Sequence, residues 1–168
     1  MNSQKPRTLD SESDDEVAIR MLYQQMIDGW NIGSGDAFAA PYTEDSDYIG
    51  FDGTYLKGRQ KIASFHQQLF DRFVKGSRLV AKIRGIQFLT LDVAVMIAVG
   101  GTVMAGQSDI DPDRNSIHTL VAVKRDGNWY FTAFQNSRAA FVRRPEESQE
   151  LTEELRQELS LTSKRKID

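Results

Sequence analysis

Residues 115–137, NSIHTLVAVKRDGNWYFTAFQNS, constrain the fold more than any other stretch. Two β-rich runs flank Asp126-Gly127, a dipeptide suited to the positive φ angles of a two-residue type I′ turn. With those two residues as the loop, Arg125 sits opposite Asn128. Lys124 then faces Trp129, Ala122 faces Phe131, Leu120 faces Ala133 and His118 faces Gln135, all on one side. The other side carries Val123 with Tyr130, Val121 with Thr132, Thr119 with Phe134 and Ile117 with Asn136. Period-two alternation means that a one-residue slip would exchange the two sets. Neither side is polar enough to lie in water, so the hairpin belongs to the middle of a sheet covered on both faces.

The two faces differ. The His118 face has small Ala122 and Ala133 at its centre and polar His118 and Gln135 at one end. Small residues backed by convergent polar groups describe a hollow better than a packed layer. The opposite face, of Val, Thr, Tyr and Phe, suits flat packing. The first is expected to be a pocket wall and the second a packing or subunit interface.

At 168 residues the chain is long enough for one domain with a real core. Its net charge of −3 and lack of a basic stripe speak against nucleic acid, which needs phosphate contacts. Without cysteine there is no disulfide, thiolate nucleophile or cysteine metal site. Two histidines far apart in sequence argue against zinc. No apolar run approaches a membrane span, and the polar N-terminus lacks a signal-peptide pattern. A cytoplasmic protein without membrane association is the expectation.

Along the chain, residues 1–12 are polar and read as a disordered tail. Ser13-Asp14-Asp15-Glu16 reads as a capping box opening a helix. Ile19, Leu22, Tyr23, Met26, Ile27 and Trp30 form its apolar stripe. Asp36 is expected to cap a short second helix ended by Pro41. Tyr48-Ile49-Gly50-Phe51 reads as a short strand, with a turn at Asp52-Gly53. Gly58 leads into a third helix carrying Ile62, Phe65, His66, Leu69, Phe70 and Phe73, closed by Gly76. Strands follow at about 79–89 and 93–104, before the hairpin. Asp109, Asp111 and Asp113 alternate, but an EF-hand needs glycine and glutamate where Arg114 and Leu120 stand, so an exposed acidic loop is the better reading. Leu151, Leu155 and Leu159 form a narrow stripe on a C-terminal helix, with 161–168 frayed. The division is a tail, 1–12, a domain, 13–142, and a helical extension, 143–168. Helices followed by a curled antiparallel sheet make this an α+β chain.

The run Trp30-Asn31, Gly35-Asp36, Tyr42-Thr43-Glu44-Asp45, Gly58-Arg59 and Ile62, followed by Asp126-Gly127-Asn128-Trp129, resembles the nuclear-transport-factor-2-like (NTF2-like) superfamily. Within it the chain is most similar to the SnoaL-like SgcJ/EcaC (DUF4440) group, over about residues 14–142. The resemblance implies a cone-shaped α+β domain, three helices packed on a curved, mainly antiparallel sheet around a deep pocket, dimerising through the sheet. The fold hosts isomerases, dehydratases, epoxide hydrolases, cyclases and non-catalytic binding domains, so it leaves function open.

His118, mid-strand on the proposed pocket face, is a candidate acid, base or hydrogen-bond donor; its plain alternative is a core histidine bonded to Gln135. His66 either lines the same hollow or packs in the core with a backbone partner. Asp45 and Asp47 lie near where the superfamily's isomerases hold a carboxylate base, although turns also collect Asp. Tyr48 and Tyr23 could donate to a developing oxyanion. Trp30, Phe51, Phe70, Phe73 and Phe131 are apolar lining or core. Arg84 would pair with an acidic ligand if its strand parity faces the cone, and is otherwise a rim charge; Asn136 and Arg138 pose the same question. The catalytic candidates are thus His118, Asp47 and Tyr48, with Trp30, Phe51, His66, Phe70, Arg84, Phe131, Gln135 and Asn136 expected at the substrate.

Three readings follow. One is a homodimeric protein binding an unknown small hydrophobic or aromatic metabolite, with no cofactor. Another is a cofactor-independent isomerase, cyclase or hydrolase. The third is an assembly module recruiting protein through its outer sheet and terminal helix. No dinucleotide motif or metal cluster supports redox chemistry.

Overall fold

A computed structural model describes residues 13–165, so the expected tail at 1–12 and the last three residues lie outside it. Helix α1, Asp14–Asn31, opens at Ser13, whose Oγ accepts the Glu16 N–H at 3.1 Å. Three acidic residues occupy its first turn, at the positive end of the dipole. Its stripe of Ile19, Tyr23, Met26 and Ile27 is buried. Helix α2, Gly35–Ala39, is capped by Ser34 Oγ rather than by Asp36, which lies within its first turn. Helix α3, Arg59–Asp71, buries Ile62, His66 and Phe70. It ends before the expected stop at Gly76. Two glycines let the helices close up. A Cβ on Gly29 would run into the backbone of Phe38, and one on Gly35 into the carbonyl of Ala63.

The six strands are β1, Tyr42–Ile49; β2, Tyr55–Lys57; β3, Arg78–Phe88; β4, Val93–Val103; β5, Ser116–Arg125; and β6, Asn128–Arg138. They form one curved sheet in the order β2-β1-β6-β5-β4-β3. Only β1 and β6 run parallel. Strand β1 is longer than expected and begins at Tyr42. Its Thr-Glu-Asp-Ser stretch has weak β propensity, but pairing with the hairpin strand β6 outweighs that.

Asp126 and Gly127 have φ of 51° and 79°, as a two-residue I′ loop requires, and Arg125 pairs with Asn128. The expected register holds to Ala122–Phe131 and then breaks. Val121 pairs with Ala133, so β6 carries Thr132 as one extra residue. Beyond this bulge Leu120 faces Phe134 and His118 faces Asn136. Phe134 turns inward and is buried, whereas Gln135 turns outward and is exposed. The expected His118–Gln135 and Leu120–Ala133 pairs are corrected accordingly.

A second irregularity, between Ile83 and Gly85 of β3, inserts Arg84. Val80 and Lys82 therefore face outward, but Ile86 and Phe88, on the same numerical parity, face inward.

The inner face, with α1, α2 and α3, encloses the main core. Helix α4, Pro145–Lys164, packs Leu151, Leu155 and Leu159 against Val80, Val99 and Val103 on the outer face. Asn115 Nδ2 donates to Thr152 Oγ1 at 2.8 Å in this layer. The helix runs to Lys164, past the fraying expected from 161.

Candidate functional site

Between the inner sheet face and helices α1 and α3 lies a cavity of about 330 Å³. Trp30, Phe38, Phe65 and Leu69 line it from the helices, and Tyr48, Ser116, His118, Phe134 and Asn136 from the strands. The bulge after Phe131 is what aims Phe134, Asn136 and Arg138 into this space rather than their neighbours.

Strand β5 supplies the first polar chain. Tyr23 Oη lies 3.0 Å from His118 Nδ1, and His118 Nε2 lies 2.8 Å from Ser116 Oγ. Ser116 Oγ lies 3.4 Å from the Gly100 carbonyl, which can only accept. All donors are satisfied in one direction: Tyr23 O–H to Nδ1, Nε2–H to Ser116, and the serine O–H to the carbonyl. His118 is thereby a neutral Nε2–H tautomer. Burial pushes its pKa down to about 4 and raises that of Tyr23, so neither is ionised near neutrality.

The helix side repeats the device. His66 Nδ1–H donates to the Ile62 carbonyl at 2.7 Å, leaving Nε2 to accept from Tyr48 O–H at 3.2 Å. Phe38 stacks on the imidazole with ring centres 4.1 Å apart, and Tyr48 stacks on Phe134 at 4.5 Å. Desolvation likewise takes His66 to about 4, against the lesser effect of the Ile62 hydrogen bond. Asn136 Oδ1 is buried without a hydrogen-bond partner. An orphaned buried acceptor is costly unless something else donates to it.

The mouth is different. Phe51 and Phe73, 52% and 74% exposed, form an apolar rim. Arg138 lies 4.0 Å above the Phe51 ring, and Arg114 and Asp52 line the same opening.

Of the residues singled out from the sequence, Trp30, Tyr48, Phe51, His66, His118 and Asn136 meet at the cavity. Asp47 does not. It turns outward, accepting from Tyr55 O–H at 2.6 Å and pairing with Lys57 at 2.9 Å, which hold its pKa below the usual range. Asp45 pairs with Arg125 at 3.2 Å. Arg84 lies on the outer face, paired at 2.7 Å with Glu154 of α4. Gln135 is exposed on that face too. Phe70 and Phe131 are buried in the core behind the cavity wall, Phe70 against Trp30 at 5.2 Å and Phe131 between Tyr23 and Tyr42. Sequence reasoning missed Ser116, Phe134 and Arg114. Only the bulge reveals Phe134, while Ser116, two residues before His118, shares its face and was legible by alternation.

Chemically, the cavity offers an uncharged aromatic interior with serine, tyrosine and asparagine side chains in its wall. Among the described residues no three His, Cys, Asp or Glu side chains gather as a metal site. None of the described helices is long and apolar enough to cross a membrane.

Solved structures share this architecture. A domain of unknown function with a cystatin-like fold from Nostoc punctiforme PCC 73102 is 38% identical, covering 94% of this chain and 100% of its own, with a TM-score of 0.76. An NTF2-like protein of unknown function from Shewanella oneidensis MR-1 is 20% identical over 73% of this chain and 98% of its own, TM-score 0.61. A hexachlorocyclohexane dehydrochlorinase, LinA-type3, from Novosphingobium barchaimii LL02 is 14% identical over 74% and 86%, TM-score 0.63. The last two are similar in fold alone. None of the curated proteins matches this sequence. The SnoaL-like domain model matches residues 19–141. With that match spanning most of the chain, and with helices and curved sheet arranged as in its NTF2-like neighbours, the protein belongs to the SnoaL-like family of the NTF2-like superfamily.

Proposed function

We propose that this protein binds a small hydrophobic or aromatic metabolite in the cavity, without a cofactor, as a cytoplasmic homodimer and as a member of the SgcJ/EcaC group. The observation that carries this reading is the space of about 330 Å³ walled by Trp30, Phe38, Tyr48, Phe65 and Phe134, with Ser116, His118 and Asn136 also in its lining. Cavities of this size and lining suit drug-sized ligands. Dimerisation is supported by the outer face beyond α4, where Val95, Ile97, Val121 and Val123 remain partly exposed.

The test is native mass spectrometry of freshly purified protein, with solvent extraction to identify any retained molecule. Replacing Leu79, at the cavity wall, with tryptophan fills the space. A retained apolar molecule in wild type that is lost in Leu79→Trp supports the reading. An empty wild type that also fails to take up naphthalene-sized compounds refutes it.

A second reading is catalysis of the isomerase, cyclase or hydrolase type, a class for which the shared fold of a hexachlorocyclohexane dehydrochlorinase is a precedent. One observation favours it: the Ser116 hydroxyl lies 2.8 Å from an imidazole at the cavity wall. His118 would act as base, with Tyr48 as hydrogen-bond donor. That role requires the Ser116–His118–Tyr23 chain to reverse direction, leaving the Tyr23 proton without an acceptor. The neutral, doubly bonded imidazole therefore ranks binding above turnover. Turnover of a retained ligand that is lost in His118→Gln would reverse that ranking.

A further inference from the structure

The cavity has a neutral interior, and at its mouth Arg138 has no carboxylate partner among the described residues, an asymmetry that points to a ligand class. We propose that the pocket takes aromatic carboxylates, with Arg138 clamping the carboxylate at the mouth and the ring system lying inside. This rests on the cavity being the ligand site.

Arg138 ends strand β6 on the inward side of the bulge and lines the mouth. One guanidinium N–H donates to the Asp113 carbonyl at 3.1 Å, and the plane covers Phe51 at 4.0 Å. Those contacts orient the fork without neutralising it. Among the described residues no carboxylate lies within ion-pair distance of it. Of the nearby acids, Asp111 pairs with Arg114 at 3.4 Å and Asp52 accepts from the Thr54 N–H at 3.0 Å, while Asp113 bonds Arg138 only through its backbone carbonyl. Partial burial and then repulsion from Arg114 lower the Arg138 pKa, against the weaker attraction of Asp111 and Asp113. An anion between the two would relieve that repulsion, and a planar fork suits a carboxylate.

Asn136 lies two residues before Arg138, roughly 7 Å along the same face. A naphthalene- or biphenyl-sized ring system spans that interval, with Trp30, Phe38, Tyr48 and Phe134 to enclose it. The interior groups set the other end of the ligand. His66 and His118 are neutral and internally bonded, so nothing within the cavity neutralises a buried charge, and the anion belongs at the mouth.

The experiment compares 6-hydroxy-2-naphthoate with its uncharged carboxamide by calorimetric titration at low salt. Wild type is expected to bind the acid at least tenfold tighter, and the preference should shrink as salt rises. Arg138→Gln should abolish the preference and its salt dependence. Arg138→Lys, which keeps charge but loses the fork, should retain part of it. Equal binding of acid and amide by wild type would overturn the inference while leaving the cavity reading intact. Binding of neither would overturn both. The wild-type comparison and its salt dependence stand even where a variant fails to fold.

Discussion

Tyr23 of α1 and His118 of β5 are joined by a 3.0 Å hydrogen bond across the interior, and that bond decides which proton the cavity-facing imidazole carries. Among the described residues Tyr23 has no other acceptor, so it donates to Nδ1 and leaves Nε2–H directed at Ser116. The pair also ties the helix layer to the sheet. His66 and Tyr48 do the same from α3 to β1. Two histidine–tyrosine pairs thus brace one hollow from opposite sides.

Replacing Tyr23 by phenylalanine removes one hydroxyl and leaves a buried ring nitrogen without its donor. The expected loss is about 1–3 kcal/mol, measured by urea unfolding. A change below about 0.5 kcal/mol would mean that His118 is satisfied in some other way.

Both cavity histidines have folded pKa values near 4, below the ordinary 6.5, because burial disfavours the charged ring. The unfolded chain therefore binds more protons between those limits, and stability rises with pH across that window. It should be complete above about pH 6.5 and fall as pH drops towards 4, by on the order of 3 kcal/mol per histidine. The lowered aspartates act at more acidic pH and do not mask this. Unfolding midpoints from pH 7.5 to 4.5 check it, with a shallower slope expected in His118→Gln. A flat wild-type profile would contradict neutral burial of the two rings.

Gly100 of β4 faces His118 so closely that an added Cβ would stand 2.9 Å from Cε1. Gly100→Ala should displace the imidazole and strain its bond to Tyr23, costing about 1–3 kcal/mol. Binding of a naphthalene-sized ligand should weaken with it. An unchanged unfolding midpoint would show that the ring has room to move.

Arg84 and Arg138 should behave oppositely. Arg84 and Glu154 have side chains 49% and 26% exposed, and such pairs contribute little. Arg84→Ala should change stability by less than about 1 kcal/mol and leave ligand binding untouched, as titration against wild type would show. Loss of binding in this variant would put the site on the outer face.

The I′ turn, the Ser13 cap, the α1 stripe and the order of the long strands were all readable because each rests on local chemistry. Asp126-Gly127 permits positive φ, and the helical spacing of Ile19 to Trp30 has one solution. The errors share a different origin. Thr132 is a single extra residue in a strand without the glycine or proline that marks irregular backbone, and Arg84 is one marked only by the neighbouring Gly85; each inverts the alternation beyond it. That inversion exchanges Gln135 for Asn136 at the cavity, and it turns Ile86 inward while Arg84 stays on the outer face with Val80 and Lys82. Asp47 was read beside a pocket because only the pairing of β1 with β2 reveals Lys57 and Tyr55 as its partners. His118 kept its place because both the expected and the observed register turn it inward.

The most direct measurement is titration of 2-naphthol followed by Trp30 emission in a Trp129→Phe background, which removes the second of the two tryptophans. Trp30 lines the cavity, its Nε1 donating to Ser77 Oγ at 3.1 Å. Saturable, one-to-one quenching that disappears in Leu79→Trp, judged there by calorimetry, is the expected result. Absence of saturable quenching, or calorimetric binding that survives plugging of the cavity, would contradict a small-molecule site between α1, α3 and the sheet.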